Sequence, residues 1–159
     1  MSGLLGRYQT TMDDKGRFAL PAKLRAVKGP DPNKLLLEGD LIITKGLEGC
    51  LTIYPQPEWS DIQSRLGTLN FTSEDYRYFG RLFYSAAGTV TPDRHGRILI
   101  PSHLIGEADL KRDLLVIGVD RWVEIWNPDR FKYYLEQHRR SFEDVAEKLF
   151  SGDGGQKQE

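Results

Sequence analysis

The chain has 159 residues, 39% of them hydrophobic and 28% charged, a globular rather than a disordered balance. A net charge of −1 argues against coating nucleic acid with the whole surface, and the single cysteine, Cys50, cannot form an internal disulfide. No apolar run approaches the roughly 18 residues that cross a bilayer, and the start MSGLLGRYQT has no basic segment leading into a long apolar one, so neither a membrane span nor a secretory signal is expected.

The first predicted element is a pair of strands joined by a tight turn, RYQTTMDDKGRFAL at residues 7–20. Asp13 opens such a turn by bonding nearby backbone, and Gly16 supplies the left-handed conformation that other residues resist. A short loop with Gly near its end predicts a hairpin with a bulge. Pro21 then fixes φ at the start of a short helix, PAKLRAV. A loop with two prolines, VKGPDPNKLLLEG, leads to LIITKGLEGCLTIYPQPEW at residues 41–59, which reads as strand, turn, strand and a proline-marked helix start. In SEDYRYFGRLFYSAA the apolar Tyr76, Phe79 and Phe83 recur at helical spacing with Arg77 and Arg81 turned away, and Thr72 or Ser73 serves as N-cap.

The chain then repeats itself. PDRHGRILIP at residues 92–101 echoes MDDKGRFALP at 12–21, with Asp93 for Asp13, Gly96 for Gly16, Arg97 for Arg17 and Pro101 for Pro21, an offset of 80. The short helix PSHLIG follows, with Gly106 as its expected cap. LLVIGVDRWVEIWNPDRF at 114–131 echoes the second strand pair, Ile125 and Trp126 standing for Ile53 and Tyr54 at an offset of 72. The fall in offset assigns about eight extra residues to the two-proline loop, where insertion costs little. Two stripes, Phe131, Tyr134 and Leu135, then Val145, Leu149 and Phe150, predict core or subunit contacts. Residues 1–85 thus form a first repeat with a helical tail, 86–150 a second, and 151–159, SGDGGQKQE, a disordered tail. Neither half has enough strand to close a core alone, so the two should interlock.

Charge is distributed unevenly. Within residues 1–28, Arg7, Lys15, Arg17, Lys23, Arg25 and Lys28 face only Asp13 and Asp14, a surplus of four positive charges that acids elsewhere in the chain balance. A hairpin tip is a protruding two-stranded ribbon, which can enter a major groove about 12 Å wide. Arginine brings a planar fork for guanine or phosphate, and lysine a mobile point charge. The bland alternative makes Lys15, Arg17 and Arg97 solvated turn charges. Two copies in register weigh against it, because a turn needs Asp and Gly but has no need of Arg. Asp13 and Asp93 repel phosphate, and are read as turn formers that pair with the arginine four residues on.

Enzyme chemistry finds little support. Asp13 and Asp14 are adjacent and point apart, which disfavours a paired-carboxylate site. His95, His103 and His138 lack metal-ligand spacing with Cys50 or an acidic cluster, and no glycine-rich loop precedes a helix as a phosphate cradle. No enzyme, cofactor, metal or small-molecule substrate is expected.

The doubled DDKGRFALPAKLR and DRHGRILIPSHL, each an Asp-x-x-x-Arg signature, resemble the MraZ family of bacterial regulators, with Arg7 and Tyr8 ahead of the first copy adding to the match. The second copy departs in having Arg94 and His95 where the first has Asp14 and Lys15. The resemblance implies an α+β, mostly β fold: a pseudo-dimeric swapped-hairpin barrel of the AbrB type, built from two tandem repeats with helices after each. It also implies a sequence-specific, DNA-binding transcriptional regulator, cytoplasmic and nucleoid-associated, assembled as a homo-oligomeric ring. Such a regulator binds direct repeats in double-stranded promoter DNA and represses its own division and cell-wall gene cluster. The DNA-facing residues it implies are Lys15, Arg17, His95 and Arg97, with Arg7 beside them, supported by Asp13, Gly16, Asp93 and Gly96 as turn formers. Two alternatives stand beside it: an interaction module that holds a partner protein as AbrB-like antitoxins hold toxins, and a small acid/base enzyme using Asp13, Asp93 and His95.

Overall fold

The computed structural model describes residues 3–151. The first repeat runs through strand β1 (Leu4–Thr11), a tight turn, strand β2 (Arg17–Ala19) and the short helix α1 (Ala22–Arg25). It continues through β3 (Leu41–Lys45), a 3-10 turn, β4 (Leu51–Tyr54) and helices α2 (Gln56–Gly67) and α3 (Glu74–Ala86). The second repeats that order as β5 (Gly88–Val90), β6 (Arg97–Leu99), α4 (Ser102–Glu107), β7 (Asp113–Asp120), β8 (Val123–Trp126), α5 (Pro128–Gln137) and α6 (Phe142–Phe150). The fold is mixed α+β, and every strand pairing is antiparallel.

The pairings cross between the repeats. The larger sheet has the order β1-β7-β8-β4-β3-β5, and β2 and β6 form a separate two-stranded ribbon. The expected hairpin therefore survives only at its tip. Gly16 N–H donates to the Asp13 carbonyl at 3.0 Å and Asp13 N–H to that of Arg17 at 2.8 Å, but β1 and β2 then part. Strand β1 gains an eight-residue ladder with β7, from Leu4↔Asp120 to Thr11↔Asp113, which three-residue β2 could not offer. The equivalent strand β5 pairs β3.

Two seams hold the repeats together. In the ribbon, Phe18 lies opposite Ile98, its own counterpart in the second repeat. In the large sheet, Thr52 lies opposite Glu124, again its counterpart. A residue facing its own equivalent marks a pseudo-two-fold axis, which accounts for the palindromic strand order. The ladder ends at β1 and β5, so the closed barrel implied by the family resemblance is not found among the described residues.

The molecule has three layers. The ribbon with α1 and α4 covers one sheet face, burying Phe18, Leu24, Ile98, Ile100 and Leu104 against Leu41, Ile43, Leu51, Ile53, Val123 and Ile125. Longer helices cover the other. Trp59 of α2 stacks on Phe83 of α3 at 5.6 Å, and the buried Thr44 hydroxyl donates to the Phe83 carbonyl at 2.8 Å. Phe131 of α5 meets Trp126 edge-on at 4.9 Å. Helix α6 stands apart, with Phe142 86% and Phe150 89% exposed.

Helix ends follow local chemistry. Ser73 caps α3, its hydroxyl accepting from Tyr76 N–H at 3.4 Å, and Asn127 caps α5. Pro21 and Pro101 occupy the cap positions of α1 and α4, just before the first helical residue. Gly106 lies inside α4 rather than capping it, because Ala108 N–H still reaches back to the Leu104 carbonyl at 3.1 Å. The tail expected to be disordered lies, beyond residue 151, outside the described residues.

Phe18 is 2% exposed and sits on the ribbon seam. Phe18→Ala should cost about 3–5 kcal/mol of stability. Chemical denaturation measures this, and an unchanged midpoint would show that the ribbon is not integral to the core.

Candidate nucleic-acid interface

Each Asp-x-x-x-Arg segment closes on itself. The Asp13 Oδ1 accepts from the N–H groups of Lys15 and Arg17, both at 2.9 Å, and its Oδ2 from Arg17 Nε at 2.9 Å. Asp93 repeats the pattern, taking His95 N–H at 2.8 Å, Arg97 N–H at 2.9 Å and Arg97 Nε at 3.2 Å. The turns need a left-handed residue, and Gly16 and Gly96 have φ of 87° and 78°. These bonds favour the charged carboxylate. The Arg17 backbone N–H, then its guanidinium and Lys15 N–H, hold Asp13 below its ordinary range. Arg97 N–H, helped by His95 N–H and the Arg97 guanidinium, brings Asp93 to about 2.

Each turn is also seated by the other repeat. Ile105 of α4 packs over Gly16, where an added Cβ would lie 3.1 Å from its Cδ1. Arg25 at the end of α1 lies over Gly96, leaving no room for a Cβ, and donates to the Arg94 carbonyl at 3.2 Å.

The ribbon brings the two motifs onto one face. Its register is Arg17↔Leu99, Phe18↔Ile98, Ala19↔Arg97. Phe18 and Ile98 point into the core, so alternation turns Arg17, Ala19, Arg97 and Leu99 outward. Arg17 and Arg97 are diagonal neighbours, roughly 7–8 Å apart in such a ladder. Each carboxylate holds its arginine by Nε, and among the described residues the Nη nitrogens of both have no hydrogen-bond partner. The outer edge of each fork faces solvent, aimed by its own turn. Lys15 and His95 stand exposed at the two tips.

Arg7 is not brought to this face. It lies on β1 with its guanidinium 5.2 Å from the Phe131 ring centroid. Arg25 belongs to the site through a contact spanning 69 residues of sequence, which no local pattern exposes. Its only sequence signal is membership of the basic N-terminal stretch.

Elsewhere the chemistry is quiet. Cys50 is 1% exposed and burial, with the charges of Glu124 and Glu48, pushes its thiol up to about 12. His103 and His138 contact the backbone carbonyls of Ala86 and Tyr134. Among the described residues no group of three His, Cys, Asp or Glu could hold a metal ion, and no helix is long and apolar enough to cross a membrane.

The profile of the family described as "MraZ protein, putative antitoxin-like" matches twice, at residues 4–82 and 83–152. The chain belongs to the MraZ family. A protein of Heliobacterium modesticaldum named "Transcriptional regulator MraZ" is 42% identical over 94% of this chain and 98% of its own length. Proteins of the same name from Syntrophomonas wolfei and Caldanaerobacter subterraneus are each 40% identical, over 91% and 92% of this chain and 95% and 96% of their own. The name these MraZ relatives carry is that of a regulator and not of an enzyme. Both matches to the MraZ profile contain one Asp-x-x-x-Arg turn, one ribbon strand and one strand of the central seam.

The turns carry a pH signature. A carboxyl held below its ordinary value stabilises the fold fully above that value, and the contribution is lost as pH falls through the folded value. Asp93→Asn keeps the hydrogen-bond acceptor and removes the charge. The difference in unfolding midpoint between the parent and this variant should hold above about pH 4 and vanish towards pH 2. A difference constant across that range would assign the turn to geometry alone.

Proposed function

We propose that the protein is a sequence-specific DNA-binding transcription regulator that seats the outward face of the β2–β6 ribbon in the major groove. One observation carries the reading: Arg17 and Arg97, from motifs 80 residues apart, are aimed outward from a single ribbon with their outer nitrogens available. A two-stranded ribbon fits that groove, and an arginine fork can span guanine O6 and N7. The Nε–carboxylate contact orders each side chain before DNA arrives, which lowers the entropic cost of binding. Lys15 and His95 at the tips lie where phosphates would flank the ribbon, and Arg7 plays no part at this face.

The strand exchange supports reading the fold as an AbrB-like swapped hairpin written into one chain, each repeat standing for one subunit. The target implied by the family likeness is a set of direct repeats in the promoter of the protein's own division and cell-wall gene cluster, with repression as the outcome. This would act in the cytoplasm at the nucleoid. The exposed apolar face of α6 supports a homo-oligomeric ring. It equally supports the second reading, a surface that holds a partner protein in the antitoxin manner.

Gel retardation with promoter fragments tests the site. Arg17→Ala should weaken binding by about 1–3 kcal/mol. Its melting temperature should change little, because the ion pair it loses is exposed to solvent and screened by it. Arg97→Ala should act in the same direction. Parallel losses of binding and melting temperature would assign the arginines to the fold instead.

Subunits related by rotation present their ribbons in the same sense. DNAs with two or three repeats spaced by about one helical turn should therefore bind roughly 10²–10⁴ more tightly than DNA with one. Shifting one repeat by half a turn should abolish the gain. Equal affinity across the series would rule this mechanism out.

A further inference from the structure

The ribbon has a pseudo-two-fold axis, yet its two poles differ in chemistry. At the second pole, Arg97 pairs with Asp93, Arg25 donates to the Arg94 carbonyl and His95 stands at the tip, so Arg25, Arg94 and Arg97 outnumber the carboxylates of Asp93 and of Asp40, which is held by Thr91 beside the turn. At the first, Lys15 and Arg17 are balanced by Asp13 and Asp14, the place of Arg25 is taken by Ile105, and the nearby Lys111 and Arg112 pair with Asp109 and Asp113. The outward face departs from symmetry in a second way. Ala19 and Leu99 are equivalent positions, so the neighbour directly opposite Arg97 is one methyl and the neighbour opposite Arg17 is an isobutyl group. That leucine is 58% exposed, on the side of the ribbon away from the core, and its Cδ1 lies against the first turn, 3.8 Å from where a Gly16 Cβ would be.

We infer that Leu99 reads the C5-methyl group of a thymine next to the base gripped by Arg17. This rests on the major-groove reading above and deepens it. In the major groove the thymine methyl is the one apolar feature of the base edges, and an aliphatic side chain is its natural partner. Opposite residues in a ladder have Cβ atoms about 4.5–5.5 Å apart, so a fork on guanine and an isobutyl group beside it fall on neighbouring bases. The near-neutral pole is suited to base contact, where apolar surface must be desolvated. The cationic pole is suited to phosphate, which attracts charge without regard to sequence. Ala19, at the equivalent place, offers one methyl where Leu99 offers an isobutyl group, so the larger apolar contact is at the first pole. The ribbon therefore has a reading end and a gripping end, and its site has a direction rather than a palindrome.

The test uses the full chain and duplexes of 30 base pairs that it enriches from a random pool, with each thymine replaced in turn by deoxyuridine, which lacks only the methyl. For the parent protein, one thymine adjacent to a guanine should weaken binding about fourfold on replacement, the worth of one buried methyl. Leu99→Ala should bind the thymine duplex as the parent binds the deoxyuridine duplex, and should be blind to the replacement. Leu99→Val, which keeps two methyls, should retain part of the sensitivity and controls for folding, along with an unchanged melting temperature. Parent binding indifferent to every deoxyuridine, or sensitivity undiminished in Leu99→Ala, would overturn the role of Leu99 while leaving the DNA-binding reading standing. A pool with no enriched sequence would overturn both.

Discussion

Everything in this structure depends on the exchange of strands between the repeats. Alone, either repeat holds one strand of the ribbon and edge strands without mates. The two seams, Phe18 against Ile98 and Thr52 against Glu124, bind each unit to its counterpart. With them in place β1 finds β7 and β5 finds β3, and the apolar sheet face is covered by ribbon and short helices contributed by both repeats. The core is shared because unpaired backbone and half-covered apolar faces are costly to either partner alone.

The same exchange builds the candidate interface. A tip on an isolated hairpin would project one arginine with freedom to turn. Here each tip is seated by the opposite repeat, Ile105 on Gly16 and Arg25 over Gly96, and each arginine is held at Nε by the carboxylate four residues before it. The ribbon ladder then sets the two forks on one face. The carboxylates, which would repel phosphate, are bonded to backbone N–H groups and to the arginine Nε. Those same hydrogen bonds hold both carboxyls below their ordinary range.

The breaking of symmetry is as informative as the symmetry. Gene-level repetition supplies two equivalent turns, but Asp14 against Arg94, Arg25 against Ile105 and Ala19 against Leu99 make them unlike. A symmetric ribbon made by two identical chains cannot carry such differences. One chain containing both halves can, and so gives its ribbon a direction.

By itself the sequence determined the doubling, the family and the local turns. Those depend on residues within a few positions of one another: a carboxylate reaching backbone two and four residues on, a glycine with positive φ, a serine capping the helix it precedes. The mixed α+β class was legible for the same reason, since alternation and helical spacing are short-range patterns. Tertiary structure decided the rest. RYQTTMDDKGRFAL has the turn chemistry of a hairpin, yet its arms separate, because their partners lie about 110 and 80 residues away, and no local signal ranks a distant ladder above a near one. Gly106 resembles a stop, but the backbone of α4 continues past it. Arg7 of β1 lies over the Phe131 ring, while Arg25 is drawn to the second turn. Which charges gather on one face is a property of pairing register, and register is set by the burial of Phe18 and Ile98 across 80 residues of chain.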